Sequence, residues 1–219
     1  MKQLFILSLA FLAITGCRKI ETDGEKEIFV VTKEVAPVGV VSNTVTLSGR
    51  ITKDTTLFAK DVNYLSGIVY VMKGVTLTIQ EGAKVMGKSG TDVAALVICR
   101  GAKLVAKGTA EKPIIFTAKL DDLSGMLDYT VRGEWGGVII LGNAPTNNAT
   151  IRQVEGINEI VGAGDVRANY GGDNADDNSG VFRFVSIRHT GKAVGDQAGN
   201  EIQGLTLGGV GRGTKIEYV

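Results

Sequence analysis

Two cysteines, one histidine, one tryptophan and three prolines among 219 residues leave several chemistries without material. A lone histidine, His189, cannot build a metal site that needs several imidazoles. Two cysteines, Cys17 and Cys99, exclude a disulfide framework. The 24 basic and 23 acidic residues leave a net charge of +1, so the chain has no nucleic-acid footprint and no nucleic-acid partner is expected. Beyond residue 16 no apolar run approaches the roughly 20 helical residues needed to cross a bilayer, and no window keeps a helical period.

What is present begins with a specific amino terminus. Residues 1–16 hold one charged side chain, Lys2, then the apolar run Leu4 to Ala13 and the short stretch Ile14-Thr15-Gly16 before Cys17. A basic start, a short apolar core and small residues ahead of a cleavage point make a signal peptide. Ile14-Thr15-Gly16-Cys17 resembles the bacterial lipobox. That resemblance implies a diacylglycerol on the Cys17 sulfur, cleavage after Gly16, and acylation, as by palmitate, of the new amino terminus. Each buried methylene contributes about 0.8 kcal/mol, so several acyl chains hold a protein that one chain binds only marginally. The alternative is an ordinary secretory signal in which Cys17 is incidental. Arg18 stands where Asp would mark inner-membrane retention, so the expected place is the outer membrane, facing the periplasm or the cell surface. With Cys17 lipidated, Cys99 has no disulfide partner. It ends the apolar run Ala94 to Cys99 and reads as a core residue.

Residues 17–43 are charged at first and read as a lipidated tether; residues 44–219 turn to short β-branched runs broken by glycine, of which the chain has 30. Leu77 to Lys88 aligns with Leu96 to Lys107 at an offset of 19 residues, with six identities in twelve positions. Each copy is two short strands joined by a bend. Nineteen residues are too few for a propeller blade, and neither copy holds the helix of a leucine-rich repeat. The expected architecture is therefore all-β, a parallel β-helix whose rungs stack about 4.8 Å apart. In that reading Leu77 and Ile79 stack on Leu96 and Ile98, Thr78 and Val97 face outward, and eight or so rungs form a rod about 40 Å long. The runs Phe182-Arg-Phe-Val and Ile216-Glu-Tyr-Val, 34 residues apart, are expected to be successive rungs separated by an outward loop. The sequence stops at Val219 inside a strand-like run, so further rungs or a covering partner chain are expected there.

Tyr64 to Gly82, Gly108 to Thr117, Gly133 to Gly142 and Gly171 to Gly180 together carry a family resemblance. In order and texture they resemble segments of right-handed parallel β-helix lipoproteins of Bacteroidota, over residues 44–219. The resemblance implies the fold and its handedness. It brings no catalytic residue with it, because none is established in that group.

Candidate chemistry is sparse. Asp173, Asp176, Asp177 and Asn178 offer several oxygens to a hard cation such as calcium, although the spacing departs from an EF-hand; the alternative is a turn whose Asx side chains bond their own backbone. His189 lies beside Arg183 and Arg188, a group that reads either as a ligand contact or as exposed rung charge. Trp135, flanked by Gly133, Gly136 and Gly137, is either a platform for a sugar ring or a packing residue at a tight corner. Gly208 to Gly213 superficially resembles a phosphate-binding loop but lacks the helix that would make it one. The leading expectation is a lipid-anchored extracytoplasmic module that binds polysaccharide or a surface protein. The alternatives are a carbohydrate-active enzyme, lyase or hydrolase, and a structural spacer.

Overall fold

The computed structural model describes residues 41–90, 93–148, 151–157, 165–194 and 202–219. The signal peptide, Cys17 and the tether as far as residue 40 lie outside the described residues. The chain divides into Met1–Val30 and Val31–Val219, and every described residue belongs to the second unit.

The short runs pair as parallel strands, each turn of the chain laying strands on three faces in the same order. The first rung is β1 (Thr44–Ile51), which covers two faces, and β2 (Thr55–Leu57). The second is β3 (Val62–Val71), again across two faces, and β4 (Thr76–Ile79). The third is β5 (Lys84–Gly87), β6 (Ala95–Ile98) and β7 (Lys103–Lys107). The fourth begins with β8 (Ile114–Ala118) and β9 (Val138–Leu141), and reaches the third face only after an excursion. That excursion carries the antiparallel pair β10 (Arg152–Gln153) and β11 (Asn169–Tyr170), before β12 (Gly180–Arg183) closes the rung. The fifth is β13 (Val185–Ile187), β14 (Leu205–Gly208) and β15 (Lys215–Glu217). β5, β8 and β13 continue the first face, β6, β9 and β14 the second, and β2, β4, β7, β12 and β15 form the third.

β3 shows how one strand serves two faces. Asn63–Leu65 pairs with β5 and Ile68–Val71 with β6, so the strand changes face at Gly67, whose φ is +62°. Gly49, at φ +60°, marks the same place in β1, where the β1–β3 register shifts. Both positions lie in the left-handed region that glycine enters without a Cβ penalty.

The 19-residue repeat is real as a texture but is not a rung. Leu77 pairs with Leu104 and Ile79 with Ala106, whereas Leu96 pairs with Val69 and Ile98 with Val71. The two copies are different corners of a three-sided coil, third face to first and second face to third, with the first-to-second corner between them, and they resemble each other because each is a strand, a tight bend and a strand. Thr76 and Lys103, 27 residues apart, are true rung neighbours. Eight rungs are accordingly too many, since the described residues build five, each consuming three faces. The Phe182 and Ile216 runs do stack: Phe182 pairs with Ile216 and Arg183 with Glu217. Arg183 Nε lies 3.1 Å from Glu217 Oε2, and the Phe184 and Tyr218 rings stack with centroids 4.3 Å apart.

Inside the coil, like sits on like. Leu57, Ile79, Ala106 and Phe182 form one buried row of the third face, and Val69, Leu96 and Val138 one row of the second. Burying a side chain of this size stabilises by about 1.5–3 kcal/mol, and no rung gains this alone. Trp135 fills the space between first and second faces, stacked near-parallel on Phe116 at 6.3 Å, with its ring over Gly87. A Cβ at Gly87 would stand 2.5 Å from Trp135 Cβ, so glycine is what lets the indole in.

A second apolar cluster lies on the outside of the second face. Tyr70, Val97, Cys99, Ile139 and Leu141 are covered there by Val154, Ile157, Ala168, Val194 and Ile202 from the excursions at 142–179 and 188–204. Val97 therefore faces away from the coil as its alternation requires, yet is 0 % exposed. Outward is not the same as solvent-facing when an inserted loop lies on the sheet. The first face is partly covered too: outward-facing Thr117 is 0 % exposed beneath the loop at 119–134. The third face stays open, with Thr56, Lys103, Lys107, Arg183, Lys215 and Glu217 all exposed.

Candidate functional site

The excursions that cover the first two faces each leave a cleft. On the second face a cleft of about 600 Å³ opens where β10 and β11 stand over β9 and β14. Its floor is Ile139, Thr206 and Gly208, and its wall is Asn148, Arg152, Gln153, Glu155 and Tyr170, with Gln203 opposite. β10 pairs with β11 through Arg152 opposite Tyr170 and Gln153 opposite Asn169. Arg152 Nη2 donates to Asn148 Oδ1 at 3.0 Å, and Gln153 Nε2 to the Asp165 carbonyl at 3.0 Å. A Cβ at Gly208 would fall 2.8 Å from Tyr170 Cγ, so the glycine lets the ring lie flat on the sheet end.

The hairpin is tied to the coil beside this cleft. Asp165 and Arg167 form a bidentate pair, Arg167 Nε donating to Asp165 Oδ1 at 3.0 Å and Nη2 to Oδ2 at 2.7 Å. The Arg167 side-chain bonds hold the Asp165 carboxyl well below its ordinary value, at about 2. The Arg167 guanidinium lies 4.7 Å from the centroid of the Tyr70 ring. Burial pushes the Cys99 thiol up to about 12, and burial likewise raises the Tyr70 phenol.

The second cleft, about 640 Å³, lies where the loop at 119–134 meets the end of β13. Here the structure brings together two of the residues singled out in the sequence. Arg188 and His189 line it with Asp121, Asp128, Tyr129 and Arg132. The His189 side chain is only 5 % exposed. Its Nδ1 lies 2.8 Å from the Val131 carbonyl, which can only accept, so that nitrogen carries a proton. Nε2 faces Asp121 Oδ2 at 3.6 Å, and the same oxygen accepts from Thr117 Oγ1 at 2.6 Å. His189 is thus a pin that holds the loop on the sheet. Arg188 Nε donates to Ser186 Oγ at 3.0 Å.

The other sequence candidates separate from both clefts. Trp135 is 0 % exposed and its Nε1 donates to the Arg188 carbonyl at 2.7 Å, so it is a corner packing residue with no face for a sugar. Arg183 stands on the open third face, paired with Glu217 and lying over Phe184 and Tyr218. The Asx-rich loop does not gather its oxygens at one point. Asp177 is buried, with Oδ1 accepting from Asn143 Nδ2 and Oδ2 from Ser179 Oγ. Asp176 turns to Arg212 at 2.9 Å, and Asn178 Oδ1 accepts from its own Gly180 N–H at 2.9 Å. Asp173 is exposed. Among the described residues no three Asp, Glu, His or Cys side chains are placed to hold a metal ion. The glycines of the 208–213 run serve this corner instead: a Cβ on Gly211 would stand 2.5 Å from the Asp177 nitrogen.

Sequence reasoning missed the hairpin cleft. Tyr170 is one of five tyrosines in the sequence, and its partners Asn148, Arg152, Glu155 and Gln203 come from segments with no common motif.

Stacked parallel rungs with loops inserted between strands define the chain as a parallel β-helix. Within that class it belongs to the pectate-lyase-like β-helix domain family, whose model matches residues 49–219. No curated protein and no solved structure matches the chain.

Proposed function

We propose that this protein is a lipid-anchored outer-membrane β-helix protein that binds glycans in the cleft beside Tyr170. The carrying observation is the lining of that cleft. Amides from Asn148, Gln153 and Gln203, the Thr206 hydroxyl, Arg152 and Glu155 surround one half-buried aromatic ring. Planar polar groups present donors and acceptors together, as vicinal sugar hydroxyls require, and a tyrosine offers an apolar face with a polar edge. A volume of about 600 Å³ suits one or two sugar rings. The anchor rests on the Cys17 lipobox and agrees with a bacterial β-helix lipoprotein, as the sequence segments suggest. No helix among the described residues is long and apolar enough to cross a membrane.

The test is a glycan array followed by calorimetry on the hits. Tyr170→Ala is expected to weaken binding at least tenfold with the fold intact; equal affinity in the variant overturns the assignment of the cleft. Acylation is read separately, by loss of labelled fatty acid from Cys17→Ser.

Membership of the pectate-lyase-like family favours a second reading, polysaccharide cleavage, with Glu155 as the group available for proton transfer in the cleft and Arg152 as a cation to hold a substrate anion. Shortening of a bound glycan on incubation, abolished by Glu155→Gln, would establish it. A protein that neither binds nor cleaves any glycan is left as a spacer or as the binder of a surface protein.

A further inference from the structure

The three faces of the coil differ in what covers them, and that difference carries an orientation. The outward sides of the first and second faces lie under loops and bear the clefts. The third face is open and flat, and its outward residues form columns across the rungs. Thr56, Thr78, Val105, Val181 and Lys215 are register partners in one column. Lys107, Arg183 and Glu217 form the next. Lys103 pairs with Thr76 at the strand starts, and Phe58, 44 % exposed, follows directly on β2. Four basic side chains therefore stand on this face against two acids: Glu217, matched by Arg183, and Asp54, which precedes β2 and accepts from the Thr76 N–H at 2.8 Å. Lys103, Lys107 and Lys215 are exposed and have no ion-pair partner among the described residues. The whole chain carries only +1, so the excess is local to this face.

We propose that the third face lies on an anionic phospholipid surface. The chemistry is complementary: lysine ammonium groups meet headgroup phosphates, while Val105, Val181 and Phe58 between and beside them reach the interfacial layer. A flat face without walls fits a plane better than it fits a single polymer chain, which is held by a groove. Laid down this way, the coil turns its first and second faces, and both clefts, away from the membrane. The proposal adds an orientation to the anchored reading given above, and its test does not depend on acylation.

The experiment uses the chain as it stands after cleavage, residues 17–219 carrying Cys17→Ser, so that neither signal peptide nor lipid contributes, and measures co-sedimentation with vesicles rich in phosphatidylglycerol and with vesicles of phosphatidylcholine alone. Binding is expected only to the anionic vesicles and is expected to fall with added salt. Each lysine near such a surface contributes about fivefold, so Lys103→Gln, Lys107→Gln and Lys215→Gln together are expected to weaken binding by about a hundredfold. Lys119→Gln, on the loop over the first face, is the control and is expected to change little. Equal binding to both vesicle types, or a triple variant that binds like its parent, overturns the proposal. So does capture by a soluble anionic polysaccharide in place of vesicles, which would assign the face to a polymer. Failure to acylate Cys17 in cells, with vesicle binding retained, would remove the anchor and leave this face standing.

Discussion

Trp135 and Cys99 show what burial does to a residue whose type suggests chemistry. Trp135 is the sole tryptophan, enclosed by Phe116 and Gly87 and bonded to the Arg188 carbonyl. Trp135→Ala empties the corner and is expected to destabilise by about 3–5 kcal/mol, read from the midpoint of urea unfolding. A loss below about 1 kcal/mol would mean the corner collapses around the gap or is not packed as described. Cys99 is enclosed on the opposite side of the sheet, under the excursions. With its thiol raised to about 12, almost none is thiolate at neutral pH. The native protein is expected to resist a disulfide reagent that labels the unfolded chain fully, and rapid labelling of the native state would show that the second apolar cluster is open.

At the scale of strands, alternation says which way a side chain points but not what it meets. Thr78 and Val97 both face outward from their strands, one on the open third face and one beneath Val154, Ile157 and Ala168. Val97→Lys must bury an ammonium group in an apolar layer and is expected to cost more than about 3 kcal/mol, whereas Thr78→Lys is expected to stay within about 0.5 kcal/mol. Thermal unfolding of the two variants checks the contrast; equal losses would contradict the covered face. The same pair marks how far the sequence could be read. Short β-branched runs, glycine bends and the self-similar corners were enough for a parallel coil, because those features are local. The number of faces was not legible, since the corners on either side of the third face obey one local pattern and a repeat of corners looks like a repeat of rungs. The cover over Val97 was not legible either, because the covering residues lie more than 50 positions downstream and leave no trace near it. Nor was the hairpin cleft, whose lining is assembled from four separate segments. Trp135 was half legible: the glycines around it announced a tight corner, but only Gly87, in the preceding rung, shows that the ring turns inward.

At the scale of the molecule, a stacked coil holds itself together by rung contacts, while the hairpin that walls the glycan cleft is held by a smaller set. The charged part of that set is Arg167, which Asp165 of the same hairpin positions over the Tyr70 ring of the coil, while the Gln153 bond to the Asp165 carbonyl ties the hairpin to itself. Because the Asp165 carboxyl is lowered from 3.8 to about 2 in the fold, its contribution is complete above 3.8 and is lost as the pH falls towards 2. The rungs, built on apolar rows, have no such dependence on this carboxyl. Acid is therefore expected to release the hairpin before the coil unfolds. Pepsin is active in that window, and cleavage within residues 151–170 is expected to accelerate between pH 3.8 and about 2 while the circular dichroism of the strands is unchanged. Asp165→Asn lacks the carboxylate at every pH and serves as the reference for the enzyme's own pH profile. Its hairpin is expected to be cut readily throughout, so the ratio of wild-type to variant cleavage should rise towards one as the pH drops. A ratio that stays flat across the window would show that the hairpin is held by its apolar contacts alone, and that Arg167 rests on the Tyr70 ring without needing Asp165 to keep it there.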